Sequence, residues 1–457
     1  MPKNIDKAAH NSPNKQASSS TSQERSVRAA PRVALPCVIA YCRAGFEADL
    51  AEELEALATA AGVAGKAVGT DMTAFALFIP KEARDVERLR ATILLRDLIF
   101  ARQLVWSSGI VAQLPADDRV TPILAAVREH LVPATPADHF ARLIVESPDT
   151  DHGKELSRFC AALSRPISNA LQRENLLPKS EPKVATEPTL HIFMLDASCV
   201  YIGISDPGNS SPWPMGIPRL RFPVGAPSRA ALKLEEAFRT FMTPEEDARF
   251  LAEGSTAVDL GAAPGGWTAL LVKRGVYVTA VDNANLDEAL VSSDFVDHVR
   301  ADAFKFRPEG AVHWLFCDVV EQPSRVAALV GAWLERRLAR NAIFNLKLPM
   351  KRKLGEISEC LAPLGKINLG KGRRLRIMVK QLYHDRKEVT VCALSDSLND
   401  KPDGSRGGPR KRPQFKSNQG AKPKPSTKPS TKPKPKTNAG PGSPRRPSRS
   451  GGQHRRS

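Results

Sequence analysis

After Phe46 the apolar residues Leu50, Leu54 and Leu57 recur at three- and four-residue steps with acids between them, which predicts an amphipathic helix. Apolar runs at 33–41 and 74–79 flank it and read as strands. A second helical pattern covers 86–95, and a further apolar run covers 98–105. This β-α-β-α order of short elements predicts a small α/β sandwich. Downstream, 117–131 and 154–171 read as helices and 143–145 as a strand, while the polar, proline-containing 175–187 reads as a loop. Residues 190–195 and 200–204 read as a hairpin pair.

From 228 the pattern changes. Ser228 sits where an N-cap would open a helix over 228–239, with Lys233 inside it. Strands are predicted at 256–260, 277–282, 296–300, 313–317, 342–346, 374–379 and 388–394, and helices at 266–274, 322–339 and 351–361. Apolar strands alternating with helices predict a doubly wound α/β sheet of about seven strands, whose ligands sit beyond the C-terminal strand ends.

Composition alters this picture mainly at the two ends. Residues 1–32 have almost no large apolar side chains and cannot offset chain entropy, so they are expected to be disordered. Residues 401–457 hold seventeen Lys and Arg against one acid, Asp403, so +16 of the net charge of +18 lies there. This low-complexity tail is expected to be disordered and to be drawn to RNA phosphates without sequence preference; a solubility tail is the alternative. No apolar run reaches the roughly eighteen residues of a membrane span, and the N-terminus has no apolar signal core, so the cytosol is the expected compartment. The seven scattered cysteines include no C-x-x-C pair and read as buried free thiols, with no metal site expected.

The chemistry centres on Asp259-Leu-Gly-Ala-Ala-Pro-Gly-Gly-Trp267, a strand end, a glycine-rich turn and a helix start. With no Cβ at Gly261, Gly265 and Gly266, backbone N–H groups can approach a ligand closely. The spacing matches neither the dinucleotide nor the phosphate-loop pattern. Pro264 and Asp259 disfavour a diphosphate, which leaves a cationic cofactor with a ribose, S-adenosylmethionine. An ordinary strand–helix turn is the alternative. Asp282 ends the next strand, where an acid accepts from ribose hydroxyls. Asp302 follows the third strand and could accept from an exocyclic amine. Asp318 ends the fourth strand and Lys347 the fifth.

Methyl transfer to a ribose hydroxyl needs a proton acceptor in line with the donor. A lysine with a pKa depressed by burial or by a second cation can serve. Lys347, Asp318, Lys233 and Glu388 supply a Lys-Asp-Lys-Glu set from four separated positions. Two further basic features lack catalytic spacing. The segment 207–227, with Trp213, Arg219, Arg221 and Phe222, is either a stiff linker or a grip for single-stranded nucleic acid. Lys154, Arg158, Arg165 and Arg173 form either a basic helix face or an ordinary solvated surface.

Residues 206–394 resemble the ribose 2′-O-methyltransferases of the heat-shock methyltransferase superfamily. The resemblance is closer to the large-subunit ribosomal RNA 2′-O-methyltransferase M family. It is carried by Met215-Gly-Ile-Pro-Arg-Leu220, Leu232-Lys-Leu-Glu-Glu-Ala237, 258–268, Phe344-Asn-Leu-Lys-Leu-Pro-Met-Lys351 and Gln381-Leu-Tyr-His-Asp-Arg386, and by Tyr41-Cys-Arg-Ala-Gly-Phe-Glu47 near the start. It covers about 33–394 and implies a ferredoxin-like domain (33–112), a THUMP RNA-binding domain (113–205) and a Rossmann-like methyltransferase domain (206–395). Residues 1–32 and 396–457 fall outside these domains. It implies 2′-O-methylation of a cytidine in 23S rRNA by a monomer acting on naked or early-assembly RNA. It further implies Lys347 as proton acceptor in a tetrad with Lys233, Asp318 and Glu388. The implied cofactor contacts are Ser228, Ala263, Pro264, Gly265, Gly266, Asp282, Asp302 and Asp318. Ala263 departs from the family, which often has Cys there. The competing reading is a non-catalytic RNA-binding assembly factor with a vestigial pocket. A base methyltransferase would carry Asn/Asp-Pro-Pro-Tyr/Phe where this chain has Asp318-Val-Val-Glu321.

Overall fold

The computed structural model describes residues 36–135, 138–182, 184–370 and 374–395. The ends expected to be disordered, 1–32 and 396–457, lie outside the described residues. In the first half the elements run β1 (Cys37–Tyr41), α1 (Glu47–Ala60), β2 (Gly65–Gly69), β3 (Phe75–Pro80), α2 (Val86–Thr92), β4 (Gln103–Val111), α3 (Val120–Ala126), β5 (Arg142–Glu146), α4 (Asp151–Arg173), β6 (Thr189–Met194) and β7 (Val200–Ser205). The second half runs α5 (Ala230–Phe241), α6 (Pro244–Phe250), β8 (Thr256–Leu260), α7 (Gly266–Lys273), β9 (Tyr277–Val281), α8 (Glu288–Val291), β10 (Val296–Val299) and β11 (Val312–Cys317). It closes with α9 (Pro323–Glu335), β12 (Ala339–Lys347), α10 (Lys353–Gly365), β13 (Arg376–Lys380) and β14 (Glu388–Leu394).

Among the described residues the strands form two seven-stranded sheets. The first has the order β2-β3-β1-β4-β7-β6-β5, so β4 joins the strands before and after it into one surface. Alternation along β1 explains its two buried faces. Val38 and Ala40 join the core that includes Leu50, Leu54 and Leu89, while Ile39 and Tyr41 pack with Val105 and Phe193 on the other side. The segment after β7 is an ordered, pinned strap. The Gln103 side chain bonds both Ser211 N (3.0 Å) and Ser211 O (2.9 Å), and Glu146 accepts from Met215 N.

α4 begins at a hard contact. Thr150 caps it by accepting from Gly153 N at 3.0 Å, and a Cβ built on Gly153 would stand 1.8 Å from the Pro148 carbonyl oxygen. That oxygen is backbone and cannot swing aside. Gly153→Ala is therefore expected to lower unfolding stability by about 3 kcal/mol, the upper end for overpacking. The unfolding midpoint in denaturant checks this, and an unshifted midpoint contradicts it.

The second sheet has the order β10-β9-β8-β11-β12-β14-β13. Its first five strands are parallel, and β14 is antiparallel to both β12 and β13. Helices cover both faces, which is why the central strands are rich in apolar residues on both sides. Ile343 of β12 lies in the core with Leu234 of α5 and Trp267 of α7. Phe344 faces the other way, in the core with Trp333 of α9 and Ile357 of α10. Strand order reverses between β8 and β11, so a crevice opens beyond their C-terminal ends.

The two sheets are tied together at β13. Lys380, at its end, is buried with its ammonium donating to the carbonyls of Leu95, Leu98 and Ala101. Lys353 of α10 meets Asp49 of α1 at 2.6 Å, and Arg43 donates to the Tyr383 carbonyl at 3.0 Å. No described helix is long and apolar enough to cross a membrane. All seven cysteines are free, six of them buried.

Candidate active site

β8 delivers the chain to Gly261, whose N–H bonds the Val281 carbonyl at 2.9 Å and whose φ of +78° suits glycine. A Cβ there would meet the Val319 side chain at 2.9 Å and the Asp318 carbonyl at 3.3 Å. Gly265, at φ +114°, caps α7. A Cβ on Gly266 would lie 2.3 Å from Ser228 Oγ. All three glycines are required by close packing within the protein, since a side chain would run into Val319, Leu290 or Ser228.

Ser228 is not the helix cap. α5 starts at Ala230, its cap position is Arg229, and no side chain bonds the exposed amides. Ser228 lies one residue too early, and its hydroxyl is turned against Gly266 instead. There Oγ is buried without a hydrogen-bond partner. Trp267 Nε1 donates to the Ala230 carbonyl at 3.0 Å and so fixes α7 against α5. The orphaned hydroxyl beside Gly266 fits a polar, nucleoside-bearing ligand lying on this turn.

Asp282 also belongs here. Its two carboxylate oxygens accept from Ala263 N at 3.0 Å and Ala284 N at 2.8 Å, joining the glycine turn to the end of β9. Asp302 is exposed and caps its own turn, accepting from Phe304 N at 2.9 Å. Asp259 is buried and hydrogen-bonded to Thr268 Oγ1 at 2.7 Å. Burial pushes its carboxyl up to about 7, against the pull of the Thr268 hydroxyl.

Lys233, Asp318, Lys347 and Glu388 close into a ring. Lys347 Nζ is 2.9 Å from Asp318 Oδ1 and also bonds Glu388 Oε2. Lys233 Nζ bonds Glu388 Oε1 and lies 3.5 Å from Asp318 Oδ2. Each ammonium thus touches both carboxylates. The elements explain the convergence. Lys347 and Glu388 are register partners across the β12–β14 ladder, Asp318 follows β11, and Lys233 comes down from α5.

One expectation about this ring is corrected. The sequence reading had Lys347 with a depressed pKa. Burial does work against its ammonium, but Asp318 and Glu388 outweigh burial and hold it above the ordinary lysine range. For Asp318, burial is likewise outweighed by Lys233, Lys347 and the Asn345 amide, so its carboxyl lies below its usual value.

Three residues that sequence reasoning missed complete the site. Asn345 Nδ2 donates to Asp318 Oδ1 at 2.9 Å, Thr390 Oγ1 lies 2.8 Å from Asn345 Oδ1, and Asp385 lies behind Thr390. A signal was present: Asn345 is two residues before Lys347 and Thr390 two after Glu388, and on strands such positions share a face.

Around the ring, Val320 and Met350 are 90% and 86% exposed, large apolar side chains two or three residues beyond Asp318 and Lys347. Arg219, Arg221, Phe222, Lys351 and Arg352 are exposed as well. On α4, Lys154, Arg158, Arg165 and Arg173 all face solvent. Among the described residues no group of His, Cys, Asp and Glu is arranged to hold a metal.

Comparison with known proteins matches three family models. They are described as "RlmM ferredoxin-like domain" at residues 35–105, "Ribosomal RNA large subunit methyltransferase M, N-terminal" at 118–206 and "FtsJ-like methyltransferase" at 226–357. A protein of Tolumonas auensis named ribosomal RNA large subunit methyltransferase M is 45% identical over 353 residues, covering 77% of this chain and 94% of its own. Proteins with the same name from Methylococcus capsulatus and Cellvibrio japonicus are 43% and 44% identical, each over 77% of this chain and 96% and 97% of their own.

Proposed function

Because the chain belongs to the ribosomal RNA large subunit methyltransferase M family, we propose that it methylates the 2′-hydroxyl of a cytidine in 23S rRNA, with Lys347 as proton acceptor. It is an S-adenosylmethionine-dependent methyltransferase of large-subunit ribosomal RNA. The single observation that carries the finer reading is the closed Lys-Asp-Lys-Glu ring beside the glycine turn.

Gly261 to Gly266, Ser228, Asp282 and the start of the Asp318 segment would hold the cofactor, with Asp302 at the far side. When bound, S-adenosylmethionine supplies a methyl group on a positively charged sulfur. The residues of this chain do the rest. Lys347, once neutral, would take the hydroxyl proton as the oxygen gains the methyl carbon and the carbon–sulfur bond breaks, its electron pair going to sulfur. Asp318 and Glu388 hold its Nζ in one position, and Lys233 balances their charge. Val320 and Met350 offer an apolar surface on which a base can rest, and Arg219, Arg221, Lys351 and Arg352 offer charge for phosphates.

In this reading residues 206–395 are the catalytic unit, and 33–112 and 113–205 are the ferredoxin-like and THUMP parts that meet RNA. The enzyme works as a monomer on naked or early-assembly RNA. The test is a map of 2′-O-methyl marks on 23S rRNA from cells with and without the protein. One cytidine should lose its mark, and purified protein should restore it on naked RNA. An unchanged map refutes the reading; restoration only on mature particles refutes the choice of substrate form.

A further inference from the structure

Behind the ring runs a buried chain of hydrogen bonds whose protons can be counted. Asn345, Thr390 and Asp385 are each 0–1% exposed. Asn345 points its amide nitrogen at Asp318 Oδ1, 2.9 Å away; the reverse orientation would set two oxygens against each other. Asn345 Oδ1 therefore faces Thr390 Oγ1 at 2.8 Å, and the threonine hydroxyl must donate to it. That hydroxyl has one proton. Yet Thr390 Oγ1 also lies 3.0 Å and 3.3 Å from the two oxygens of Asp385. With its proton already engaged, Thr390 can only accept in this contact, so an Asp385 oxygen must donate.

We propose that Asp385 is a positioning residue held as a neutral carboxylic acid, whose O–H orients Thr390, which orients Asn345, which sets Asp318 against Lys347. This rests on the reading of Lys347 as proton acceptor. The surroundings agree with a neutral acid. Burial drives the Asp385 carboxyl well above the usual carboxylate range, with Glu388 and Glu236 adding to the rise. The Leu382 N–H, which bonds Oδ2 at 3.0 Å, and Lys233 oppose it. Were Asp385 ionised, the threonine hydroxyl would turn to the stronger acceptor. Asn345 Oδ1 would lose its donor, and the amide would be free to turn its oxygen toward Asp318.

The experiment uses the full chain, S-adenosylmethionine and 23S rRNA. Asp385→Ala should lower kcat about thirtyfold, a loss of about 2 kcal/mol, with KM for RNA and cofactor affinity within about threefold of the parent. Asp385→Asn should recover most of that loss, because a carboxamide donates to Thr390 and accepts from Leu382 N. If Asp385→Asn is as slow as Asp385→Ala, the working group is a carboxylate and the proposal is overturned. Should Asp385→Ala fail to fold, Thr390→Val tests the next link, and a Thr390→Val enzyme at the parent rate overturns the proposal equally.

Melting temperature supplies a second readout. A carboxyl whose pKa is raised by folding is protonated in the native chain and ionised in the unfolded one, so its stabilising contribution falls as pH rises above about 4. Asp385→Asn has no such proton to take up. Its melting temperature should gain on the parent from about pH 5 to about pH 8, and a pH-independent difference counts against a neutral acid. Lys347→Ala separates the two ideas. If that variant is fully active, the reading of the ring fails whatever Asp385 does. If it is inactive while Asp385→Asn and Asp385→Ala behave alike, only the present inference fails.

Discussion

Lys347→Ala is expected to lower kcat by about a thousandfold while leaving cofactor affinity within about threefold. The substitution removes the amine at the tip of β12, which bonds Asp318 and Glu388, and no atom of the glycine turn. Calorimetric titration with S-adenosylmethionine and single-turnover methylation separate the two quantities. A variant that methylates at the parent rate ends the proposal that this lysine is the base. The pH profile is a further check. Two carboxylates hold the Lys347 ammonium above its ordinary range, so at neutral pH the neutral amine is a small fraction. That fraction, and with it the rate of the chemical step, should rise about tenfold per pH unit below the lysine pKa. The rise should continue past about pH 9. A plateau by about pH 7.5 would mean that another group accepts the proton.

Gly265→Ala should weaken S-adenosylmethionine binding by about a hundredfold, close to 3 kcal/mol. Two costs combine. An alanine at φ +114° is strained by about 1–3 kcal/mol. Its Cβ would also stand 2.2 Å from Leu290 Cδ1, so the buried Leu290 side chain or the turn must shift. The turn is not free to shift, because Pro264 O accepts from Asp287 N at 3.0 Å and Ala263 N is tied to Asp282. Circular dichroism, which reports the two sheets, checks that the variant is folded. Unchanged affinity in a folded variant would show that the cofactor does not lie on this turn.

Much of this site was legible because strand tips carry the chemistry. Asp318, Lys347 and Glu388 each end or begin an apolar run, and polar residues at such places stand out against an apolar background. Asn345 and Thr390 did not stand out, since both are single polar residues inside strands and look like ordinary variation until the ladder pairs them. The direction of the Lys347 shift was also out of reach. A sequence counts charges but does not reveal that two carboxylates converge on one ammonium.

The same division holds for the fold. Five of the seven strands in the second sheet begin and end within a residue of the pattern, because short apolar-rich runs there are bounded by polar loops. β12 begins three residues earlier, and β13 begins two later and ends one later. β2, Gly65-Lys-Ala-Val-Gly69, was missed: it is a half-exposed edge with a single β-branched residue, held by its pairing to β3. α6 was missed although Thr243 and Glu246 form a reciprocal capping box that the sequence spells out. The helix expected over 117–131 is divided: α3 gives way at Val127–Leu131 to a wider turn that no local pattern signals.

β4 pairs with β1 on one side and β7 on the other, with a bulge between Ser107 and Gly109 inside the second pairing. The β4 residues that pair with β7, 106–111, lie between the regions matched by separate family models, 35–105 and 118–206, so the strand that runs on from the first is hydrogen-bonded to the second. Separating β4 from β7 would bare a row of amide and carbonyl groups, the kind of edge that recruits stray strands. A fragment that stops between them should therefore clump, where the undivided sheet keeps that row covered.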